Sequence, residues 1–424
     1  MIFLFVVAAL IVYIAILYNS LVNIKNNTTK AWANIDILLK QRHDEIEKLV
    51  TTCQQYMRFE QETLKQVMLS RAGVSSASLS NNAIALGTQE SKLRAGLGKL
   101  FALAEAVPES QPGLISAFGW ISARVLKGTG AALLNHPQPF RKRVAVAACA
   151  MHRADPGAAL DSSMVAPDAP LRAQALRCAG ELGRRNLLPN CIDQLNDKDS
   201  VCAFWAAWAA VLLGDRGSTV SALRQLALLP GPYRARALRL ALKVLPNTEA
   251  RTLLTALSQN VMNQRALIRG TGFAGDPYYV PWLIKQMADL KATRLAGEAF
   301  SFITGLDLAY LDLDQKPPEN FESGPSDDPK DDNVAMDEDD GLPWPDPVKI
   351  QAWWSANSHR FQSGVCYFMG EPVSRAHCIK VLKEGYQRQR IAAAEYLCLL
   401  NPGTPLFNTS APAWRQKRLL EKME

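Results

Sequence analysis

The sequence lacks the short signatures that identify most enzymes and metal proteins. It has no G-x-S-x-G, and residues 96–100 have neither the spacing nor the Ser or Thr of a phosphate-binding loop. Its eight cysteines form no C-x-x-C and its five histidines are scattered, which argues against a structural zinc site. Most of the cysteines stand among alanine and leucine, as buried thiols do in a reducing cytoplasm. We therefore predict no catalytic residue, no metal ligand and no cofactor.

Two further motifs lack the context that they need. Residues 270–275 read G-x-G-x-x-G, but they follow a helical pattern, whereas a dinucleotide site needs a preceding strand and a βαβ unit. An EF-hand beginning at Asp337 would need an oxygen ligand at its fifth position, where the chain has Gly341. Lysines are not clustered with interleaved aromatic residues, so nucleic acid is not an expected partner.

One long apolar run is present, at residues 2–18. With residues 19–22 it approaches the roughly 20 residues that a helix needs to cross a bilayer. No Lys or Arg precedes it and no A-x-A follows it, so we expect an anchor at residues 1–22 rather than a cleaved signal peptide. The first basic residues, Lys25 and Lys30, follow the span and predict a single-pass protein whose body lies in the cytoplasm. The lipid bilayer is thus the expected partner of residues 2–18.

Residues 23–108 have the periodicity of amphipathic helices. Apolar side chains such as Trp32, Ile35 and Leu39 recur three or four residues apart. After a Ser- and Asn-rich turn at residues 75–82, a second stripe includes Leu93 and Leu103. We expect antiparallel helices that form a hairpin or part of a bundle.

The same segment resembles the LemA family of bacterial membrane proteins. The resemblance rests on Asn-Ser-Leu-Val at 19–22, Ala-Trp at 31–32, Ile-Asp at 35–36 and Leu-Lys-Gln-Arg-His-Asp at 39–44. It implies a protein of the bacterial inner membrane. From Val107 the chain departs from the family pattern and the rest of the bundle is missing, so self-association is a further expectation.

An internal repeat begins beyond a junction at residues 109–114. Positions 141, 172, 202, 234, 265 and 294, all Arg except Cys202, are 31, 30, 32, 31 and 29 residues apart. This period fits two helices and a turn, and the pairs Gly214-Asp215 and Gly275-Asp276 are typical helix ends. Because a helix pair cannot bury its own apolar face, we expect residues 115–311 to stack as a HEAT-like α-solenoid, followed by further helical repeats at 348–424. The predicted fold class is all-α.

Arg and Asp recur once per repeat and have two interpretations. Such residues usually form ladders between adjacent repeats; an anion-binding surface is the alternative, because residues 115–310 hold 23 basic and 13 acidic residues. The candidate ladder residues are Arg172, Arg234, Arg265, Arg294, Asp215 and Asp276.

An acidic insertion interrupts the repeats at residues 312–347. Up to residue 346 it holds 13 acidic residues and two lysines and is rich in Pro and Gly, so it is not expected to pack as a core. A solvated charged loop is the first expectation; the alternative is that its charge lets it lie against the basic repeats or compete for their partner. The candidate interaction residues are Asp327, Asp328, Asp331, Asp332, Trp344, Trp353 and Trp354.

The repeats also resemble a known family. Gly-Glu-Leu-Gly-Arg at 180–184, Phe-Trp-Ala-Ala-Trp at 204–208 and Leu-Pro-Trp-Pro-Asp at 342–346 resemble an uncharacterised bacterial family of HEAT-repeat proteins, often encoded among type VI secretion genes. The likeness covers about residues 115–420. It implies a genomic neighbourhood and no mechanism.

Three interpretations of function follow. The favoured one is a membrane-anchored, non-catalytic scaffold that binds an unidentified protein partner, with a link to type VI secretion. The second is a cation-dependent hydrolase that uses the acidic insertion together with Glu298, Asp307 and Asp312. The third is a fusion of two truncated genes without a joint function.

Overall fold

The computed structural model of the chain describes residues 111–121, 123–319, 321 and 337–423. The predicted anchor at residues 1–22, the LemA-like segment at 23–108 and the candidates Asp327, Asp328, Asp331 and Asp332 lie outside these ranges. The described part is mainly α-helical. Within it, no helix combines the length and the apolarity that crossing a membrane requires.

Successive helix pairs make up the body of the molecule. The pairs are α1 (Gln111–Trp120) with α2 (Ala123–Leu134), α3 (Pro139–His152) with α4 (Ala158–Met164), α5 (Ala169–Glu181) with α6 (Leu188–Asp193), α7 (Ser200–Leu213) with α8 (Ser218–Leu228), α9 (Arg234–Val244) with α10 (Asn247–Ser258), and α11 (Gln264–Ala274) with α12 (Val280–Gln286). The first helix of a further unit is α13 (Thr293–Thr304). From α3 to α13, first helices begin 29 to 34 residues apart, which is the period of the sequence repeat.

The pairs pack against one another in chain order. Each second helix contacts the first helix of the next pair, and the first helices α3, α5 and α7, like α9, α11 and α13, also stack directly. The largest apolar cluster runs through these contacts and includes Trp205, Leu238 and Leu254. Burial between pairs is therefore what holds each pair in place.

Local sequence explains where several helices begin and end. Asp168 and Asp199 precede α5 and α7, and their carboxylates accept hydrogen bonds from the first free backbone amides. Gly214 and Gly275 follow α7 and α11 in the left-handed conformation, which glycine adopts without strain. The helix ends predicted at the two Gly-Asp pairs are confirmed.

Two small antiparallel strand pairs were not anticipated by the all-α prediction. β1 (Asp314–Gln315) pairs with β2 (Trp344–Pro345), and the Asp346 amide donates to the Leu313 carbonyl at 2.8 Å. The acidic insertion is thus closed at its base, directly before α14 (Pro347–Asn357). β3 (Tyr367–Phe368) pairs with β4 (Glu371–Pro372) further along.

The remaining helices are α15 (Arg375–Glu384), α16 (Gln387–Leu400) and α17 (Ala413–Leu420). Residues 366–407, here called the return segment, run back across the C-terminal ends of the first helices. The Met369 amide donates to Phe302 at the end of α13, and the Tyr367 amide donates to Gly275 beyond α11. At the other end, the Leu406 amide donates to the Glu181 carbonyl at 2.8 Å, at the end of α5.

A buried ion cluster fixes the middle of the return segment. The Glu395 carboxylate on α16 accepts hydrogen bonds from Arg239 Nη2 at 2.6 Å and from Lys243 Nζ at 2.7 Å, both on α9. Its side chain is 4% exposed and that of Lys243 is 1% exposed. Burial by itself would raise the pKa of Glu395, but the two cations lower it to about 2.

Replacement of Glu395 tests this attachment. Glu395→Gln keeps the shape but leaves two cations without a compensating charge, so we expect the free energy of unfolding to fall by about 3–5 kcal/mol. Denaturant unfolding of the full chain measures it. Glu384→Gln, at an exposed position on α15, is the matched control and should change stability little. Equal stability of the two variants would contradict the role given to Glu395.

The same carboxylate predicts a pH dependence. Its pKa is about 2 in the folded chain against an ordinary value of 4.5, so its contribution is complete above pH 4.5 and is lost as the pH falls towards 2. In Glu395→Gln this contribution is absent, and we expect a shallower loss of stability over that interval than in the unchanged chain. Thermal melts across the interval make the comparison.

Candidate functional site

The arginines of the repeat lie near the starts of first helices. Arg172 on α5 forms a two-bond ion pair with Asp197 at 2.6 and 3.0 Å, in the loop that precedes α7. Arg234 on α9 donates to the Asn263 side chain at 2.8 Å, in the loop that precedes α11. Each of these arginines therefore ties its own pair to the loop that leads to the next pair.

The aspartates of the repeat lie at the opposite ends of the first helices. Asp215 accepts from the Gly217 amide at 3.0 Å and from Thr219, at the start of α8. Asp276 is buried and accepts from the Tyr278 amide at 3.0 Å and from Arg251 of the preceding pair at 2.8 Å. The structure therefore does not bring Asp215 or Asp276 into contact with Arg172, Arg234, Arg265 or Arg294.

Arg265, Arg269, Arg294 and Arg388 contact the same short stretch of acidic residues; we call them the arginine cluster. The first two lie on α11, Arg294 lies on α13, and Arg388 lies at the start of α16. Residues 337–340, here called the acidic segment, lie across them. For these four residues of the insertion, the contacts correspond to the alternative in which the insertion lies against the basic repeats.

The acidic segment is held through side chains and backbone alike. Arg265 grips Asp339 with two hydrogen bonds of 2.8 Å, and Asp339 is 3% exposed. Glu338 accepts from Arg269 at 2.8 Å, while Arg294 pairs with Asp337. Arg294 and Arg388 also donate to the main-chain carbonyls of residues 339 and 338, at 3.1 and 2.7 Å.

Aromatic rings complete the surroundings of Arg294. Its guanidinium lies 4.8 Å from the centroid of Trp344 and 5.2 Å from that of Phe321. Of the three tryptophans singled out in the sequence, only Trp344 belongs to this site. Trp353 packs on Phe300, and Trp354 is buried near Phe361, so both belong to the core around α14.

The acidic and basic side chains of the site shift one another's pKa values. Hydrogen bonding and attraction from Arg269 lower the pKa of Glu338, and the hydrogen bond to Asp339 raises the pKa of Arg265. Glu298 on α13 is different, because its burial raises its pKa although Arg388 donates to it at 2.8 Å. The arginines thus favour the ionised form of Glu338, whereas burial favours the neutral form of Glu298.

The acidic residues suggested for a hydrolase are engaged in other contacts. Glu298 pairs with Arg388; Asp307 accepts from the Tyr310 amide and from the Tyr386 hydroxyl, both at 3.1 Å. Asp312 contributes its main-chain carbonyl to Lys349. Within residues 111–121, 123–319, 321 and 337–423, no three His, Cys, Asp or Glu side chains come together as a metal site would require.

The glycine motif at residues 270–275 belongs to helix packing. It lies in α11 and at its end, and a Cβ on Gly272 would come within 3.0 Å of the Ala299 backbone on α13. The absence of a side chain therefore lets two first helices approach closely. The cysteines that the structure describes form no disulfide, and burial raises the pKa of Cys191 to about 12, which keeps that thiol protonated.

Comparison with known proteins identifies one part of the chain. Residues 31–111 match the model of the LemA family, as the sequence pattern of this segment implied. No curated protein and no solved structure matches the chain. The LemA likeness therefore applies to the segment before the helix pairs and carries no information about the arginine cluster.

Asp339 offers a direct test of the site. Asp339→Asn removes the charge to which Arg265 donates two hydrogen bonds. Hydrogen bonds to charged groups contribute roughly 1.5–3 kcal/mol each, so we expect the acidic segment to detach. Hydrogen exchange at residues 337–342 should then become at least about tenfold faster. Glu319→Gln, exposed elsewhere in the insertion, should leave it unchanged. Unaltered protection in Asp339→Asn would show that the ion pairs do not hold the segment.

Proposed function

We propose that this chain is a membrane-anchored, non-catalytic scaffold that binds protein partners through its helix pairs. In this proposal residues 1–22 hold the chain in a bacterial inner membrane, the LemA-like residues follow, and the pairs act as a HEAT-like solenoid in the cytoplasm. The resemblance of residues 115–420 to HEAT-repeat proteins encoded near secretion genes favours a secretion component as the partner.

The observation that carries the binding proposal is a row of exposed apolar side chains. Four of the six loops that precede a first helix carry such a side chain: Val165 before α5, Leu229 before α9, Val261 and Met262 before α11, and Leu290 before α13. The loops before α3 and α7 expose no large apolar side chain. Val261 and Met262 are 85% and 88% exposed. Because the pairs stack in order, these loops follow one another along one edge of the array, and aligned apolar side chains favour an interaction surface.

The return segment makes that edge distinct. It covers the opposite edge, where the first helices end, and its contacts with Gly275 and Glu181 leave that side occupied by the chain itself. The edge with the apolar row also carries Arg172 and Arg234, whose ion pairs and hydrogen bonds hold the loops in position. An edge that repeats exposed apolar side chains, with two of its loops held by these bonds, is suited to a protein ligand.

The apolar row can be removed without disturbing the core. In a variant with Leu229, Val261, Met262 and Leu290 all replaced by Ser, we expect a protein that co-purifies with the full chain to be lost. The matched control replaces Val348 and Leu400, exposed elsewhere, by Ser and should retain it. Quantitative mass spectrometry of cross-linked complexes measures the difference. The same set of proteins on all three chains would argue against this surface.

The anchor and the continuity of the chain have their own test. We expect a peptide that spans residues 100–124 in alkali-washed membranes, because an integral protein remains there and the peptide joins the two halves. Mass spectrometry of membrane and soluble fractions detects it. Soluble fragments from beyond residue 113 alone would favour two separate products and the fusion interpretation.

A further inference from the structure

We propose that the arginine cluster is a docking site for an uninterrupted acidic stretch of a partner protein, and that the acidic segment occupies it as a competing ligand of the same chain. The inference rests on the proposed scaffold function and assigns a binding site to partners that carry an acidic stretch.

The geometry of the cluster specifies the ligand. Three adjacent residues of the acidic segment have different principal partners, with Asp337 at Arg294, Glu338 at Arg269 and Asp339 at Arg265. Arg265 also reaches Glu338 at 3.3 Å. Paired N–H bonds to one carboxylate, as between Arg265 and Asp339, need a planar acceptor at a fixed position. The site therefore distinguishes consecutive carboxylates from the same charges spaced apart.

Backbone contacts favour a polypeptide over a lipid headgroup. Arg294 and Arg388 donate to the main-chain carbonyls of residues 339 and 338, which only a peptide supplies at these positions. A phosphate group would satisfy the side-chain contacts of Arg265 or Arg269 without replacing these two bonds. The cluster thus matches a chain with alternating carbonyls and carboxylates.

The outer part of the contact is open to solvent, whereas Asp339 and Arg294 are buried. The side chains of Arg265 and Arg388 are 40% and 44% exposed, and that of Glu338 is 66% exposed. Behind the segment, the insertion remains closed by the β1–β2 pair and by the bond from Asp346 to Leu313. Release of residues 337–340 therefore breaks contacts with the cluster while the base of the insertion remains closed.

Tethering determines how strongly the segment competes. A ligand on a short closed loop has an effective concentration of about a millimolar, so a free acidic peptide meets a largely occupied site. Removing the charges of the segment while retaining the arginines should uncover the site. The measured affinity for an added acidic peptide then rises.

The test uses the full chain in lipid discs and a fluorescein-labelled peptide, Asp-Glu-Asp-Asp-Gly-Leu, the sequence of residues 337–342. In the triple variant Asp337→Asn, Glu338→Gln and Asp339→Asn, we expect the peptide to bind on the order of tenfold more tightly than to the unchanged chain. Adding Arg265→Gln and Arg269→Gln to the triple variant should abolish the gain. Adding Arg224→Gln instead, an exposed arginine on α8, should preserve it.

Two further peptides decide specificity. An amide peptide, Asn-Gln-Asn-Asn-Gly-Leu, should not bind, and a peptide with glycines between the four acidic residues should bind several-fold more weakly, because bidentate contacts need fixed spacing. Equal binding of the spaced peptide would overturn the proposed site and reduce the cluster to general attraction. Equal affinity of the unchanged chain and the triple variant would overturn the competition.

A variant with a single substitution excludes misfolding as the cause of a changed affinity. Glu338→Gln alters a mostly exposed side chain, and we expect a gain of a few fold in peptide affinity with an unchanged melting temperature. No gain in this folded variant would count against the proposal. Discs with or without phosphatidylglycerol provide the remaining comparison, because protection of Arg265 and Arg269 amides by that lipid alone would assign the site to a headgroup.

Failure here is separable from failure of the scaffold function. Loss of a partner on removal of the apolar row, together with no peptide binding, would leave the scaffold standing and remove this site. Peptide binding to the arginine cluster, with no partner lost on removal of the apolar row, would support the acidic docking site and remove the apolar row as a binding surface.

Discussion

The ends of the first helices impose the constraint on which the rest of the structure depends. A covered helix end leaves main-chain carbonyls that must find donors, and three first helices, α5, α11 and α13, end against the return segment. The return segment supplies amides to Gly275, Phe302 and Glu181 in turn. Its position is fixed by Glu395, whose carboxylate must lie beside Arg239 and Lys243 to compensate two buried or half-buried cations.

That constraint makes the two edges of the array different. The return segment comes so close at one edge that a Cβ on Gly183 would collide with the Gly403 carbonyl, which leaves no room there for a further chain. At the other edge the loops between pairs present Leu229, Met262 and Leu290 to solvent. The array therefore offers a partner one open edge and one closed edge, although the spacing of the repeat is similar in every unit.

Features that are local or periodic could be predicted from the sequence. Arginines about 30 residues apart gave the spacing of the first helices, and Gly275 marked the end of α11 because a left-handed residue favours glycine. Glu395 was not recognised as a buried ion, since an acidic residue in an alanine-rich helix has no local sign that two cations lie about 150 positions earlier. The partners of the two aspartates were equally hard to foresee: Asp215 is satisfied by the adjacent Gly217 and Thr219, whereas Asp276 accepts from Arg251 of the preceding pair.

The acidic segment lies where it does because the array ends there. Arg172 and Arg234 find their acceptors in the loop before the next first helix, at Asp197 and Asn263. For Arg265 that loop offers the Lys291 carbonyl at 3.3 Å, and after α13 the acidic insertion stands where the second helix of this last unit would be. The insertion therefore provides the acceptors that the repeat no longer supplies. Because a tethered segment rather than a packed helix completes this site, residues 337–340 can leave it without separating two helices, while the β1–β2 pair keeps the base of the insertion closed.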